Sequence, residues 1–440
     1  MGFKWSWVRI PPSRPSPPPF QYPVTLKRMM FPRARFFGRC LTGSVLAAFV
    51  LACSSDSPSS PQTPESCLAN EPGNGATVTA GPAGPNPEHA DSDTMFRGFL
   101  VDPADPDVLY LGTERNGILR SADGGATWAR LRRGLRWNDV GYPEIWSLAI
   151  NPADHTRPFA ATTDSPGPLY GEAYPSANAG IYRSENSGQD WTRSNCGLTN
   201  AKTSFVLYVP GAAQTMVASV QAGAPSFSNP PAAYYTGGLF RSTNGGAAWV
   251  RAAAPAAVDS MEFWQILARG NKLITYAFWD ADISKNVGFL QSLDGGASWT
   301  TFAPDVRVNR YYTWDVSASG DTMFAAEPDG FAIDRSVDGG TTWTALQMDG
   351  VVSRLAISPA DSRLAFYVTG EKKFYRSTDG LATRTVVLTT PDIIQSIQFA
   401  PSAPDTIYVA TRGYLVYRST DAGVTWTLRK NVRADVLNVQ

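Results

Sequence analysis

Short apolar runs, separated by clusters of glycine, proline, asparagine and aspartate, follow one another from about residue 94 to residue 428. In the first unit, one apolar run ends at Pro103, a second occupies 108–112, and a third occupies 117–121 before a turn. Runs this short, bounded by turn residues, are typical of β-strands rather than of the longer helices of a globular protein. The pattern therefore predicts an all-β chain.

The third run of each unit opens a motif that occurs seven times. Each copy has a serine and, two residues later, an aspartate or asparagine. Six copies also have a glycine four residues after the serine and a tryptophan seven residues after it. Successive serines are 63, 58, 50, 44, 41 and 42 residues apart. In chain order they are Ser121, Ser184, Ser242, Ser292, Ser336, Ser377 and Ser419.

The residue types of the motif predict a tight turn between two strands. Aspartate and asparagine side chains accept hydrogen bonds from nearby backbone amides, and glycine allows a positive φ angle. The tryptophan begins the return strand and supplies a large apolar surface. In the sixth copy, Leu381 and Arg384 replace the glycine and the tryptophan. The acceptor positions are Asp123, Asn186, Asn244, Asp294, Asp338, Asp379 and Asp421.

One unit therefore contains four short strands, and the chain contains seven units. Repeats of this kind cannot bury their apolar faces alone and do so by packing on neighbouring repeats. The sequence predicts a single seven-bladed β-propeller of four-stranded antiparallel blades.

The motif Ser-x-Asp-x-Gly-x-Thr-Trp resembles the Asp-box, also called the bacterial neuraminidase repeat (BNR). Proteins with this motif include sialidases, xyloglucanase-type glycosidases, sortilin-type receptors and the photosystem II assembly factor family. The resemblance covers all seven units and implies a propeller whose Asp-box hairpins lie at the blade periphery, away from the axial site. It implies little about activity, because these families differ in function.

Residues 1–52 have the features of a leader and lipoprotein signal peptide, and two tandem methionines suggest that translation starts at Met29 or Met30. Basic residues precede the apolar run 41–52, which is short for a membrane span. The run ends at Cys53 in a sequence similar to a bacterial lipobox, which implies lipidation of Cys53 and anchoring in a lipid bilayer of the cell envelope, at the outer membrane or cell surface. Residues 53–93 are predicted to be a lipidated tether rich in Ser and Pro, and residues 94–440 the propeller.

Removal of the leader makes the mature chain acidic. The leader holds eight basic residues and no acidic one, so the 38 basic residues fall to 30 against 38 acidic residues. This balance argues against a nucleic-acid partner. Cys67 and Cys196 remain after processing, and we expect them to form a disulfide in an oxidising compartment, joining the tether to the outer edge of the second blade.

The longest units predict where a ligand binds. Their extra residues fall mainly at 162–179, 221–237 and 278–286, in loops that share one face of a propeller with the connections between blades. Aromatic and acidic residues alternate there, which suits contacts with sugars or proteins but also suits packing of the loops onto the blades. The ligand-binding candidates are Tyr174, Trp279 and Tyr312 in the loops and connections, and Trp146, Trp264 and Trp314 at the start of first strands. These three tryptophans would form either an aromatic floor in the axial channel or wedges between blades.

The sequence favours an envelope-anchored, monomeric binding module for glycan or protein ligands, with no cofactor or metal, acting through the loop-rich face of blades two to five. One alternative is an exo-glycosidase, sialidase-like or xyloglucanase-like, which needs paired carboxylates from Glu144, Glu172, Glu262, Asp280 and Asp315. Only two histidines are present, which argues against a histidine metal centre or a Ser-His-Asp triad. Seven units and a single propeller also depart from the sialidase and xyloglucanase patterns, so the enzyme reading is disfavoured. A second alternative is an assembly scaffold resembling the photosystem II assembly factor family.

Overall fold

Each repeat unit forms one four-stranded antiparallel sheet in the computed structural model of the protein, so the predicted seven-bladed propeller is confirmed. The structure describes residues 96–136, 141–163, 178–222, 236–278, 287–302, 313–326, 330–370 and 372–433. The predicted leader, Cys53, Cys67 and the predicted tether lie outside these residues, and the division of the chain into leader, tether and propeller stays a prediction.

The strands of the first four blades have the following bounds. Blade 1 consists of β1 Phe96–Val101, β2 Leu109–Thr113, β3 Ile118–Ser121 and β4 Ala129–Leu131. Blade 2 consists of β5 Glu144–Asn151, β6 Asp154–Thr163, β7 Gly180–Arg183 and β8 Thr192–Arg193. Blade 3 consists of β9 Thr203–Tyr208, β10 Met216–Val220, β11 Gly238–Ser242 and β12 Val250–Arg251. Blade 4 consists of β13 Glu262–Arg269, β14 Lys272–Phe278, β15 Gly288–Ser292 and β16 Thr300–Thr301.

The last three blades have longer outer strands. Blade 5 consists of β17 Thr313–Val316, β18 Met323–Ala326, β19 Ala332–Ser336 and β20 Thr344–Gln347. Blade 6 consists of β21 Val352–Ile357, β22 Ala365–Thr369, β23 Lys373–Ser377 and β24 Thr385–Thr389. Blade 7 consists of β25 Ile394–Ala400, β26 Ala403–Thr411, β27 Leu415–Ser419 and β28 Thr427–Asn431. A short 3-10 helix at Ala256–Ser260 precedes blade 4, and no helix in the described residues is long and apolar enough to cross a membrane.

The blades pack face to face around an axis. The first strand of each blade contacts the first strand of the next, and β25 contacts β1, which closes the ring. Seven clusters of buried apolar side chains hold the propeller together, and each cluster draws on two adjacent blades. The second strands β2, β10, β18 and β22 are therefore buried along their whole length. Burial of apolar area between blades is the main source of stability in such a fold.

Blade 7 and blade 1 each contain only their own four consecutive strands, so the ring closes through side-chain contacts. Phe99 packs edge-on against Tyr408, with ring centroids 6.4 Å apart. The Tyr408 hydroxyl donates to the carbonyl of Pro106 at 2.9 Å, and the Arg418 guanidinium lies 2.6 Å from the carboxylate of Asp107. Burial raises the pKa of Tyr408 to about 12, so its hydroxyl remains a donor at neutral pH.

The recurring motif forms a compact turn between the third and fourth strands, which we call the repeat turn (121–128 in blade 1). The Ser121 hydroxyl accepts a hydrogen bond from the Gly125 amide at 2.9 Å and donates one to the Asp123 carboxylate at 2.8 Å. The same carboxylate accepts from the amide of Thr127 at 2.8 Å and from its hydroxyl at 2.6 Å. The Ser-to-acceptor bond recurs in all seven repeat turns.

The residue after each acceptor adopts a positive φ and presents its carbonyl to the preceding blade. The φ angles at Gly124, Ser187, Gly295 and Ala422 are 64°, 59°, 67° and 56°. Arg241 donates to the carbonyl of Gly295 at 2.9 Å, Arg376 to that of Ala422 at 2.7 Å, and Arg429 to that of Gly124 at 3.0 Å. The repeat turn therefore closes its own hairpin and also joins adjacent blades.

Candidate functional site

The axial channel is lined by the first strands, because each of these strands is an end strand of its sheet. Its inner edge has no strand partner within the blade and faces the axis. A channel of this kind brings side chains from seven separate parts of the chain to one place, and propellers commonly use it for ligands. The candidate site is therefore assembled from the first strands and from the loops at the end of the channel where these strands begin.

Six of the seven first strands carry a β-bulge at the same position. The pairing with the second strand skips one residue between Ile145 and Ser147 in β5, and equivalent shifts occur in five other blades. A bulge leaves one residue unpaired and changes the direction of its side chain. In blades 2, 3, 6 and 7 the skipped residue is, in that order, Trp146, Ser204, Ser353 and Gln395. In blades 1 and 4 it falls within 97–98 and 264–265.

The structure corrects the predicted position of Trp314. In β17, Trp314 pairs with Ala325, which lies two positions along β18 from Met323, the partner of the repeat-turn serine Ser336. The residue at the same distance from the repeat turn in blade 2 is Leu148 and not Trp146. The Trp314 side chain is only 5% exposed and packs edge-on against Phe289 in the core between blades 4 and 5. Trp314 is thus an interblade packing residue, whereas Trp146 is half-buried at a bulge. The side chain of Trp264 lies outside the described part of the chain.

Polar side chains of the channel wall connect the backbones of neighbouring first strands. The Ser147 hydroxyl accepts from the Val206 amide at 2.9 Å, and the Thr313 hydroxyl accepts from the Leu355 amide at 3.1 Å. In the other direction, Gln265 donates to the carbonyl of Trp314 at 2.7 Å. These bonds satisfy backbone groups that would otherwise be unpaired at an exposed strand edge. These polar side chains in the first strands of blades 2, 4 and 5 thus form hydrogen bonds that connect neighbouring blades.

Asp315 also has a structural role. Its carboxylate lies 2.9 Å from the Arg269 guanidinium and accepts the amide of Ile357 at 2.8 Å. Arg269 donates a second bond to the carbonyl of Val316 at 2.6 Å. This network joins blades 4, 5 and 6, and it brings the carboxylate together with a guanidinium and a backbone amide. Asp315 is therefore placed as a link between blades and not as one half of a carboxylate pair.

Blade 7 presents a more open wall than the other first strands. Five consecutive residues of β25, from Gln395 to Phe399, are half-buried. Gln398 donates to the Ser396 hydroxyl at 3.3 Å, so these two side chains bond within their own strand. In blade 6, the buried hydroxyl of Ser353 has no hydrogen-bond partner among the described residues. Blades 6 and 7 thus hold polar groups that the ring does not use, and the loop-based prediction for blades 2 to 5 missed them.

The remaining predicted site residues are distributed as follows. Glu144, at the start of β5, is buried and accepts from the Thr163 hydroxyl at 3.3 Å, and Glu262 is half-buried at the start of β13. Cys196 is disulfide-bonded, and its partner lies outside the described residues because the other cysteines are at 40, 53 and 67. Within the described ranges, no group of three or more His, Cys, Asp and Glu residues could hold a metal ion. Glu172, Tyr174, Trp279, Asp280 and Tyr312 lie outside the described residues.

Comparison with known proteins supports the fold and leaves the activity open. No protein-family model matches the chain, and no curated protein matches it. Among solved structures, YCF48 from Cyanidioschyzon merolae is 15% identical with a TM-score of 0.51, and the match covers 74% of this chain and 95% of that one. A YCF48 bound to a D1 peptide has the same identity and TM-score, with 78% of this chain and 99% of that chain covered. The GH74 enzyme from Niastella koreensis is 16% identical with a TM-score of 0.30, over 76% of this chain and 56% of that one. At these identities the similarity establishes the propeller fold alone.

Proposed function

We propose that this protein is a binding module that holds a polypeptide segment of a partner protein at the axial channel, with polar contacts from blades 6 and 7. The observation that carries this proposal is the half-buried wall of β25, where the side chains of Ser396 and Gln398 bond to each other and not to a neighbouring blade. Gln395 connects blades 6 and 7 only through its backbone carbonyl, which accepts from Arg354 at 2.8 Å. Carboxamides both donate and accept hydrogen bonds, so they match the alternating donors and acceptors of a peptide backbone.

The apolar part of the channel wall supports the same ligand class. Phe205 and Leu207 of β9 and Leu267 of β13 are half-buried residues of first strands, packed at the edge of the interblade cores in the opposite half of the ring. A ligand that contacts apolar groups on one side and amides on the other is amphipathic, as an extended peptide with mixed side chains is. The peptide-bound YCF48 shows that a propeller of this fold can hold a peptide, which supports an assembly role like that of the photosystem II assembly factor family.

The carboxylates do not favour a hydrolase. Asp315 is held by Arg269 and by a backbone amide, and Glu144 is buried against Thr163. A glycosidase mechanism needs an acid and a second carboxylate that both reach the substrate. The glycan-binding and glycosidase hypotheses therefore serve as alternative outcomes of the test.

The decisive test is a peptide selection on the purified propeller, followed by affinity measurement for the double variant Gln395→Ala/Gln398→Ala. Loss of two neutral hydrogen bonds is expected to weaken binding roughly 5- to 150-fold, at about 0.5–1.5 kcal/mol each. Gln347→Ala, on an outer strand, is the matched control and should bind like wild type. Equal affinity of the double variant would place the site elsewhere, and glycoside turnover abolished by Glu144→Gln or Glu262→Gln would replace the proposal with a hydrolase.

The proposal includes display from a bacterial envelope through lipidated Cys53, which rests on the lipobox-like sequence alone. Mass spectrometry of the mature N-terminus tests it. A diacylated Cys53 is expected, with loss of membrane fractionation in Cys53→Ser. An unprocessed N-terminus in the soluble fraction would contradict the anchor.

A further inference from the structure

The outer strands of the seven blades differ in how well they are protected from pairing with another chain. Each is an end strand of its sheet, so one edge has no strand partner within the blade. The outer strands of blades 1 to 4 have only two or three residues, whereas those of blades 5, 6 and 7 have four, five and five. Short edges resist strand addition and long edges allow it, unless charge or covering groups prevent it.

Two of the three long edges are protected. β28 includes the charged residues Arg429 and Lys430, and Arg429 reaches the carbonyl of Gly124 in blade 1 at 3.0 Å. β20 has no charged residue, but the Arg384 guanidinium donates to the carbonyl of Gln347 at its end at 2.8 Å. β28 is thus protected by its own charged residues, and β20 by a guanidinium at its end.

β24 has neither form of protection. Its sequence is Thr-Val-Val-Leu-Thr, with no charged residue, and Val386 is 49% exposed. Thr385 and Thr389 are also exposed, and within the described residues no side chain of another blade covers the outer edge of this strand. The one protective feature is a bulge at Val387, where the pairing with β23 skips a residue. A bulge weakens strand addition without abolishing it.

We propose that β24 pairs with β24 of a second copy of this chain in an antiparallel arrangement, with the two-fold axis at Val387. The strand is self-complementary about that point, because Thr385 then faces Thr389 of the second copy and Val386 faces its Leu388. Threonine pairs and β-branched–aliphatic pairs are favourable across antiparallel strands. An isologous contact of this kind closes on itself and gives a dimer rather than a fibre.

The proposed dimer is weak and reversible. Five residues per copy bury much less area than a standard stable interface, and the bulge interrupts the ladder. We therefore expect dissociation in the micromolar range or above, so that the protein is monomeric when dilute, as the sequence predicts, and dimeric when concentrated. On an envelope surface, confinement to two dimensions would raise the effective concentration.

Sedimentation velocity over a concentration series, with the full mature chain, tests the proposal. Val386→Lys should abolish the concentration-dependent dimer, because the charged lysine of each copy would face the apolar Leu388 of the other, and the two lysines would lie close together across the axis. Leu428→Lys is the matched control, since Leu428 occupies the same register position in β28 and is equally 49% exposed. It should dimerise like wild type. A wild type that stays monomeric into the high micromolar range, or a Leu428→Lys variant that loses the dimer equally, would overturn the proposal.

A cross-linking experiment tests the register without relying on a charge. Thr385→Cys and Thr389→Cys are made separately, and the two variants are mixed under mild oxidation. Antiparallel pairing centred on Val387 predicts a covalent dimer in the mixture at least several-fold more abundant than in either variant alone. Equal cross-linking in all three samples would mean random collision and would contradict the pairing.

Discussion

The side-chain amide of Asn186 donates a hydrogen bond of 2.7 Å to the carboxylate of Asp190, four residues later in the repeat turn of blade 2. Five other turns have the reverse polarity, with a threonine or serine hydroxyl at this later position donating to an aspartate. In blade 3, Asn244 is followed by Ala248, which offers only its backbone amide. The two positions of the turn are thus chemically matched. Where the first position is an aspartate, the later one has a hydroxyl, and where the first is Asn186, the later one is an aspartate.

This matching predicts a non-additive pair of substitutions. Asn186→Asp places two carboxylates in contact and should lower the free energy of unfolding by about 1–2 kcal/mol at pH 7. Adding Asp190→Thr restores the arrangement of the other turns and should recover most of that loss, although it removes the exposed ion pair between Arg133 and Asp190. Urea denaturation of the four proteins in a double-mutant cycle measures the coupling. Additive effects would show that the two side chains do not interact.

The aspartates of the repeat turns predict acid sensitivity. Hydrogen bonds from residues 127, 342, 383 and 425 lower the pKa of Asp123, Asp338, Asp379 and Asp421 from 3.8 to about 2. At Asp294, burial opposes the bonds from Ser298, which outweigh it and again lower the pKa to about 2. A lowered folded-state pKa contributes stability above about pH 4 that is lost as the pH falls towards 2.

Stability measured by urea denaturation should therefore fall steeply between pH 4 and 2. Asp379→Asn should reduce the steepness of that fall, because one carboxylate no longer takes up a proton on unfolding. Asp349→Asn, an exposed aspartate outside the repeat turns, is the control and should leave the pH profile close to that of wild type. An unchanged profile in Asp379→Asn would refute the role assigned to the turn carboxylates.

Ser187 predicts a stabilising substitution. It adopts a φ of 59° at a position where five of the other six repeat turns have glycine and the remaining one has Ala422. A side chain in this conformation costs about 1 kcal/mol. Ser187→Gly relieves that strain, while the greater freedom of glycine in the unfolded chain offsets part of the gain. We expect the free energy of unfolding to rise by about 0.5 kcal/mol, measured by thermal or urea unfolding.

Leu381, the unusual residue of the sixth turn, provides the contrasting case. Its φ is 73°, yet its side chain is only 2% exposed and packs in the core between blades 5 and 6. Leu381→Gly should lower stability by roughly 1–3 kcal/mol, because lost apolar burial outweighs the relieved strain. A stabilising effect here would show that strain, not burial, dominates at this site.

The Arg269–Asp315 link predicts loss of stability on removal of one partner. Asp315→Ala leaves a partly buried guanidinium and the Ile357 amide without an acceptor, and should cost about 2–4 kcal/mol. Arg269→Met/Asp315→Leu removes both charges and should be less destabilising than Asp315→Ala alone. Urea denaturation of the two variants checks the order. If the single variant is as stable as wild type, the network does not hold the blades together.

The repeat determined the fold in advance because its spacing is visible without any contact information. Seven copies of a turn motif between short apolar runs allow few architectures other than a seven-bladed ring. The apolar runs also placed Trp146 at the start of its first strand, where the structure shows the bulge. In these cases the signal lies within one stretch of chain.

The site was predicted less well because its geometry depends on register and on partners distant in sequence. Trp314 was placed at the start of its strand by alignment of the apolar runs, but pairing with Ala325 places it two positions deeper, in the core. Asp315 carries no local sign that Arg269 and Ile357 from two other blades will engage it. Ser396 and Gln398 were not predicted as site residues, because a polar residue in a strand gives no functional signal by itself. They stand out only when the structure shows which other polar side chains connect the blades.

Among the described residues, the seam between blades 7 and 1 is closed without a strand that crosses between the two sheets, and this has a consequence for how the chain can be cut. Every blade is complete in its own sequence, and the contacts of Tyr408, Arg418 and Arg429 across the closing seam are of the same kind as those at the other seams. The ring therefore has no privileged starting blade. A circular permutant that begins at blade 4 and ends at blade 3, with a flexible linker between residues 433 and 96, is expected to form the same propeller. Any blade of the ring could therefore be the first in the chain, because the order of the blades around the ring does not depend on where the chain begins.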